Sequence, residues 1–85
     1  MLATMKVLEQ IAQSHLAGAL AYLDQATAMD RMTRALRGGV PDSLVESRLH
    51  ASDILRCKAT AELQRAEAVR QGMSALRTQN ARLHR

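Results

Sequence analysis

The chain has 85 residues, 47% of them hydrophobic, with twelve Lys and Arg against eight Asp and Glu (formal net charge +4) and a single aromatic, Tyr22. A chain this short holds one small domain with no interior large enough to enclose a substrate. No segment reaches the ~18 uninterrupted apolar residues of a membrane span. One cysteine, Cys57, permits neither an internal disulfide nor a thiolate zinc site and fits a reducing, cytoplasmic setting.

The first expected element is a helix over about residues 3–37. Projected at about 100° per residue, Met5, Leu8, Ile11, Ala12, Leu16, Ala19, Tyr22, Leu23, Ala26 and Met29 fall on one side, with His15 among them. Lys6, Gln13, Asp24 and Arg31 fall opposite, which is a helical period and not a strand period. Lys6 and then Glu9 near the N-terminus do not resemble a cleaved signal peptide. Gly18 lies mid-helix, at a cost of roughly 1 kcal/mol against alanine, and is either tolerated or a place where another backbone comes close.

The break follows at Gly38-Gly39-Val40-Pro41-Asp42. Glycine takes the left-handed conformation that ends helices, and proline cannot continue one. Asp42 or Ser43 can cap the next helix, with Glu46 completing a capping box from Ser43. The second helix is expected over about residues 43–83. Leu44, Ala51, Leu55, Ala59, Leu63, Ala66, Val69, Met73 and Leu76 form its apolar face, with Arg48 and Glu62 intruding. Helices joined by so short a turn must be antiparallel neighbours. The fold class is therefore all-α, one αα-hairpin of two antiparallel helices, completed by a partner or by self-association.

Three features lie outside those faces. Ala17, Ala21, Ala28 and Ala35 in the first helix, and Cys57, Ala61, Ala68 and Ala75 in the second, form rows spaced four, seven and seven; small rows of this kind let another helix approach closely. The second helix is also the longer, so its end overhangs the first, and Asn80 with Leu83 suits a pair of heptad core positions there. The charge is uneven as well. Residues 1–43 carry four basic and four acidic side chains, residues 44–85 eight and four, and beyond Glu67 come Arg70, Arg77, Arg82 and Arg85 with no acid. Cations near a helix C-terminus complement its dipole. That reading is preferred over nucleic-acid or anionic-membrane binding, and the lack of aromatics argues against single-strand stacking.

No catalytic, cofactor-binding or metal-binding constellation emerges. His15 lies on the apolar face, His50 on the solvent side and His84 in the tail, none with a ligand at metal spacing. Asp24 and Asp30, six apart, and Glu62 and Glu67, five apart, do not share a face. Gly38-Gly39 lacks the strand and the Lys-Ser/Thr of a phosphate loop. Cys57 sits between Arg56 and Lys58 without a resolving cysteine or orienting histidine. The expectation is a non-enzymatic protein. A lone hairpin of small apolar residues comes out near zero when burial at ~25 cal/mol/Å² is set against ordering entropy, so another surface is expected to cover it. The five methionines are core fillers or an adaptable partner surface.

The junction Met32-Thr33-Arg34-Ala35-Leu36-Arg37-Gly38-Gly39, followed by Pro41-Asp42-Ser43-Leu44, resembles the short helical-hairpin co-chaperones of the type III secretion needle. In them a basic, Met- or Leu-rich helix end runs into Arg-Gly-Gly or Arg-Gly-Ala, and a second amphipathic helix follows. The resemblance covers Met29 to about Leu63, and the second helix here extends well past the family's usual end. It implies a virulence-associated protein that stabilises a tetratricopeptide-like chaperone and helps keep the needle subunit soluble. Needle and inner-rod subunits, also hairpins, resemble the chain less, because it lacks their paired prolines and Asn/Ser-rich turn. The expected partner-binding residues are Ala17, Ala21, Ala28, Cys57, Ala61 and Ala68, with Leu76 and Leu83 at the overhang. The alternative is a self-assembling coiled coil or four-helix bundle.

Overall fold

The computed structural model describes residues 2–83 as two helices, α1 (Leu2–Leu36) and α2 (Asp42–Leu83), packed against each other. Met1, expected as a core methionine, and His84 and Arg85, expected in the tail, lie outside the described residues. The pairing is antiparallel: His15 meets Glu62 far from the turn, and Thr33 meets Arg48 close to it. The principal extents are 68 × 15 × 11 Å and the radius of gyration is 19.5 Å, where a compact globule of this length would have about 12 Å. The molecule is a rod one helix thick.

The turn works by the expected chemistry with different residues in charge. Gly38 has φ +93°, beyond the reach of a residue with a Cβ at low cost. Gly39 does not share that conformation, and its N–H donates to Leu36 O at 2.9 Å, while Arg37 N–H donates to Arg34 O at 3.3 Å. These bonds answer carbonyls that the end of α1 leaves open. On the far side, Pro41 O accepts from Leu44 N–H (3.0 Å) and Val45 N–H (3.3 Å), so Pro41 is the cap residue. The helix thus starts a residue or two earlier than a cap at Asp42 or Ser43 requires. Ser43 falls inside the first turn, and the Ser43–Glu46 capping box does not form. Asp42 instead contributes its charge to the first turn, where it complements the helix dipole.

The seam between the helices follows a strict seven-residue repeat. Ala12, Ala19, Ala26 and Thr33 are buried in α1, and Val45, Ser52, Ala59, Ala66 and Met73 in α2. A seven-residue repeat keeps one row facing its partner by supercoiling the helices to the left. The row is made mostly of small side chains, so the two backbones lie close and little apolar area is buried per residue. Two hydroxyls belong to it. Ser52 Oγ accepts from Arg56 Nη1 at 2.8 Å; Thr33 Oγ1 donates to Met29 O at 2.8 Å and accepts from Arg48 Nε at 3.2 Å. Their bonds remove the cost of burying them.

Four leucine-class residues expected on the inner faces are exposed instead: Ile11, Leu23, Leu44 and Leu63. Thr33, Val45 and Ser52 take core positions that hydropathy did not assign to them. A straight-helix projection drifts by about 20° per heptad relative to a seven-residue seam. Over five heptads that drift moves the edges of an apolar stripe out of contact. With one neighbouring helix, each chain segment has only a narrow strip to bury, and the wide stripe spills into solvent.

Candidate docking surface

Naming the buried row a fixes the heptad letters on both helices. The d row is half-buried: Leu8, His15, Tyr22 and Met29 in α1, and Arg48, Leu55, Glu62, Val69 and Leu76 in α2. Around the helix the order runs a, d, g, c on one flank and a, e, b on the other, so the hairpin has two broad sides of different chemistry. Within the helices, the e and b positions carry Lys6, Arg34, Arg56, Arg70 and Arg77 together with Glu9, Asp30, Asp42, Glu46, Asp53 and Glu67. Mixed cations and anions make this the solvated side, with Leu20, Leu23, Leu49 and Leu63 interspersed among them.

The d, g and c side is different. Its one acid among the described residues is Glu62, already engaged from two directions. Apart from His15, Gln25 and Gln79 the rest is apolar or small, with Arg48, Lys58, Arg65 and Arg82 as its cations. Toward the turn this side opens into a groove of about 580 Å³, floored by Ala28, Met29, Ala51 and Leu55 and walled by Met32 and Ile54. Arg48 and Lys58 stand at its rim. Met32 is 58% exposed and Ile54 45%, so neither finds enough cover within the hairpin. Lys58 Nζ also lies 5.9 Å from the centre of the Tyr22 ring, a cation–π distance that holds its charge beside the groove. A smaller depression of about 320 Å³ on the charged side is walled by Glu9, Arg70 and Arg77.

Besides the Arg48–Thr33 bond, two carboxylate ties cross the seam. His15 Nδ1 donates to Glu62 Oε2 at 2.5 Å, and Arg65 Nη1 donates to Glu62 Oε1. The His15 bond first, and Arg65 second, hold the Glu62 carboxyl below its usual value. Toward the turn, Arg56 donates to Asp30 Oδ2, to Ser52 Oγ and, at 3.3 Å, to Asp53 Oδ1. The Ser52 hydroxyl and then the Arg56 guanidinium keep the Asp30 carboxyl low, and Asp30 in turn favours the charged form of Arg56. Asp30 Oδ1 is buried without a hydrogen bond of ordinary geometry, so the help from Ser52 is a looser electrostatic contact. Both carboxylates are largely covered, 13% and 18% exposed at the side chain. The single-layer rod surrounds them with few atoms, and the surrounding water screens both ties. They fix register more than they add stability.

The expected docking residues divide on this frame. Ala21, Ala28, Ala61 and Ala68 occupy c positions and so share the apolar side; Ala61 is half-buried and the other three are exposed. Ala17 and Cys57, both exposed, sit at f, on the outer spines opposite the seam among Gln10, Asp24, Arg31, His50 and Gln64. The structure does not bring those two to the same side. Leu76 is half-buried in the d row and Leu83 is exposed at the overhang. Met32 and Ile54 were missed; the available signal was the run Met29, Met32, Leu36 at spacings of three and four leading into the turn. Gly18 does not admit a backbone, because a Cβ there would meet the Glu62 side chain, at 3.7 Å from Oε2.

Among the described residues, no three of His, Cys, Asp and Glu lie together to hold a metal ion. No described helix is long and apolar enough to cross a membrane. The chain matches no protein-family model, no curated protein and no solved structure.

Proposed function

We propose that the chain is a non-enzymatic docking hairpin whose apolar side is covered by a helical protein. One observation carries this reading: the seam is packed mostly with small side chains, while seven large apolar side chains on the d, g and c side (Val7, Ile11, Met32, Leu36, Leu44, Ile54 and Leu83) are at least 38% exposed. In a self-sufficient domain the large groups lie inside. Here the small groups hold the two rods together and the large ones are left for something else. The turn that resembles the needle co-chaperones supports a more specific task in the cytoplasm. The hairpin would stabilise a tetratricopeptide-like chaperone and help keep an aggregation-prone secretion subunit soluble, both partners gaining stability by mass action. Ala21, Ala28, Ala61 and Ala68 would let the partner helices close in.

A second reading is self-assembly, favoured by one feature. The register that buries Met73 and half-buries Leu76 puts Asn80 at the next a position and Leu83 at the next d, and Leu83 is 73% exposed. A polar a-position residue can set the register of a coiled coil. Equilibrium sedimentation and thermal melting of the isolated chain separate the outcomes. Docking predicts a broad, low-temperature melt that rises and sharpens when a helical partner is added. A stable homodimer at micromolar concentration supports self-assembly, and a sharply melting, highly stable monomer overturns both.

A further inference from the structure

We infer that the groove between Met29–Met32 and Ala51–Leu55 receives an amphipathic helix of another protein whose apolar stripe is bordered by carboxylates. The inference rests on the docking reading above and names the chemistry of the partner. Three observations combine. The groove is concave, and its methionine and isoleucine walls are exposed, which suits an apolar stripe of a single helix lying along the hairpin. Its rim is cationic at both ends, through Arg48 and Lys58, and no Asp or Glu occupies a d, g or c position from 25 to 36 or from 44 to 58. Finally, the Thr33 and Tyr22 contacts hold those two cations beside the groove rather than free in solvent.

The spacing adds a specific requirement. Arg48 and Lys58 are ten residues apart on one helix, about 15 Å along its axis. A docked helix parallel to the rod would answer them with two carboxylates about three turns, or some eleven residues, apart. A second copy of this chain is a poor occupant. Laid symmetrically, its groove would set Arg48 and Lys58 of each copy against those of the other, with no acid on either side to answer them. An anionic bilayer fits less well than a helix, because surfaces that bind by charge carry four to eight Lys or Arg in a cluster, roughly, and this groove has two.

The test uses the full chain and two synthetic helical peptides of about 20 residues, alike in a Leu/Ala stripe. One carries two Glu flanking the stripe three turns apart; the other carries Lys at those places. Binding is followed by fluorescence anisotropy at low and moderate salt. The Glu peptide is expected to bind about tenfold more tightly than the Lys peptide. Lys58→Glu leaves one cation and one anion at the rim and should cancel that preference, and Met32→Ser or Ile54→Ser should abolish binding of the Glu peptide. All three side chains are exposed, so circular dichroism and melting should stay as in the parent. Arg77→Ser, on the charged side, should change nothing.

Equal affinity for the two peptides, or indifference to Met32→Ser and Ile54→Ser, would overturn the assignment. So would binding only to vesicles of equimolar phosphatidylcholine and phosphatidylserine, which would make the occupant a membrane. The docking reading fails separately: it stands if a helical partner raises the melt of the hairpin through Val7 and Ile11, exposed on the apolar side away from the groove, and it falls if the isolated chain melts as a stable monomer.

Discussion

The seam and the groove beside it are built from the same residue classes in opposite arrangements. In the seam, alanines at every seventh position draw the helices together, and the larger side chains stand half out at its edges. In the groove, alanines form the floor while Met32 and Ile54 rise from it with nothing opposite. The seam is a finished contact because its mostly small residues are buried between the two helices. The groove has the same floor and no partner. The difference shows where this chain has placed its large apolar side chains: not where they hold it together, but on a surface it does not cover.

The largest expected effect that could break this comparison comes from enlarging the seam. Ala26 is fully buried, and Ala26→Leu should destabilise the hairpin by about 1–3 kcal/mol, read from urea denaturation, because the backbones must part. Leu20→Ala, at an exposed position, should stay within about 0.5 kcal/mol. Equal losses from the two would mean that inside and outside are not distinct. Next comes the turn, which sets the register that brings the alanines face to face. Gly38→Ala, at φ +93° with open space around the new Cβ, should cost about 1–2 kcal/mol from backbone strain alone.

Acid sharpens the comparison differently, since it acts on the ties across the seam and leaves the groove untouched. Asp30 and Glu62 have folded-state values below their ordinary 3.8 and 4.5. Their stabilisation is therefore complete above those ordinary values and is lost as pH falls through the lower folded-state ones. The melting temperature should fall from about pH 5 toward about pH 2, and Glu62→Gln should give a shallower acid limb. An unchanged limb in that variant would show that Glu62 is not a tie. The smallest effect runs the other way. Gly72 lies in α2, and a methyl group added there would meet nothing within 4 Å, so Gly72→Ala should stabilise by roughly 0.5–1 kcal/mol through helix propensity. Gly18→Ala should gain a similar amount, because its Cβ would meet the Glu62 side chain only at ordinary van der Waals distance, 3.7 Å from Oε2.

Much of the architecture was legible in the residues alone. Two of the four glycines stand side by side close to the one proline in a chain of helix formers, which admits one turn, and a short turn between long helices admits one antiparallel pairing. That His15, Arg48 and Glu62 lie on the inner faces was also readable, from period alone. What composition could not supply was the seven-residue register. Ser52 and Thr33 enter the core because Arg56 and Arg48 satisfy their hydroxyls, and hydropathy has no means of foreseeing such bonds, least of all the one that joins Thr33 to Arg48 across two helices.

The docking rows show the same division. Their spacing in the chain placed Ala17 and Cys57 with the other small residues, and only the seam decides that those two face away on the outer spines. Local chemistry, a helix period and a break, determined by itself that this protein is a hairpin. The phase of each helix about its axis is a property of two surfaces in contact. It depends on how closely alanines let backbones approach and on which polar groups find partners across the gap. That phase, decided by the tertiary structure alone, sorted the apolar side chains into a closed seam and an open groove.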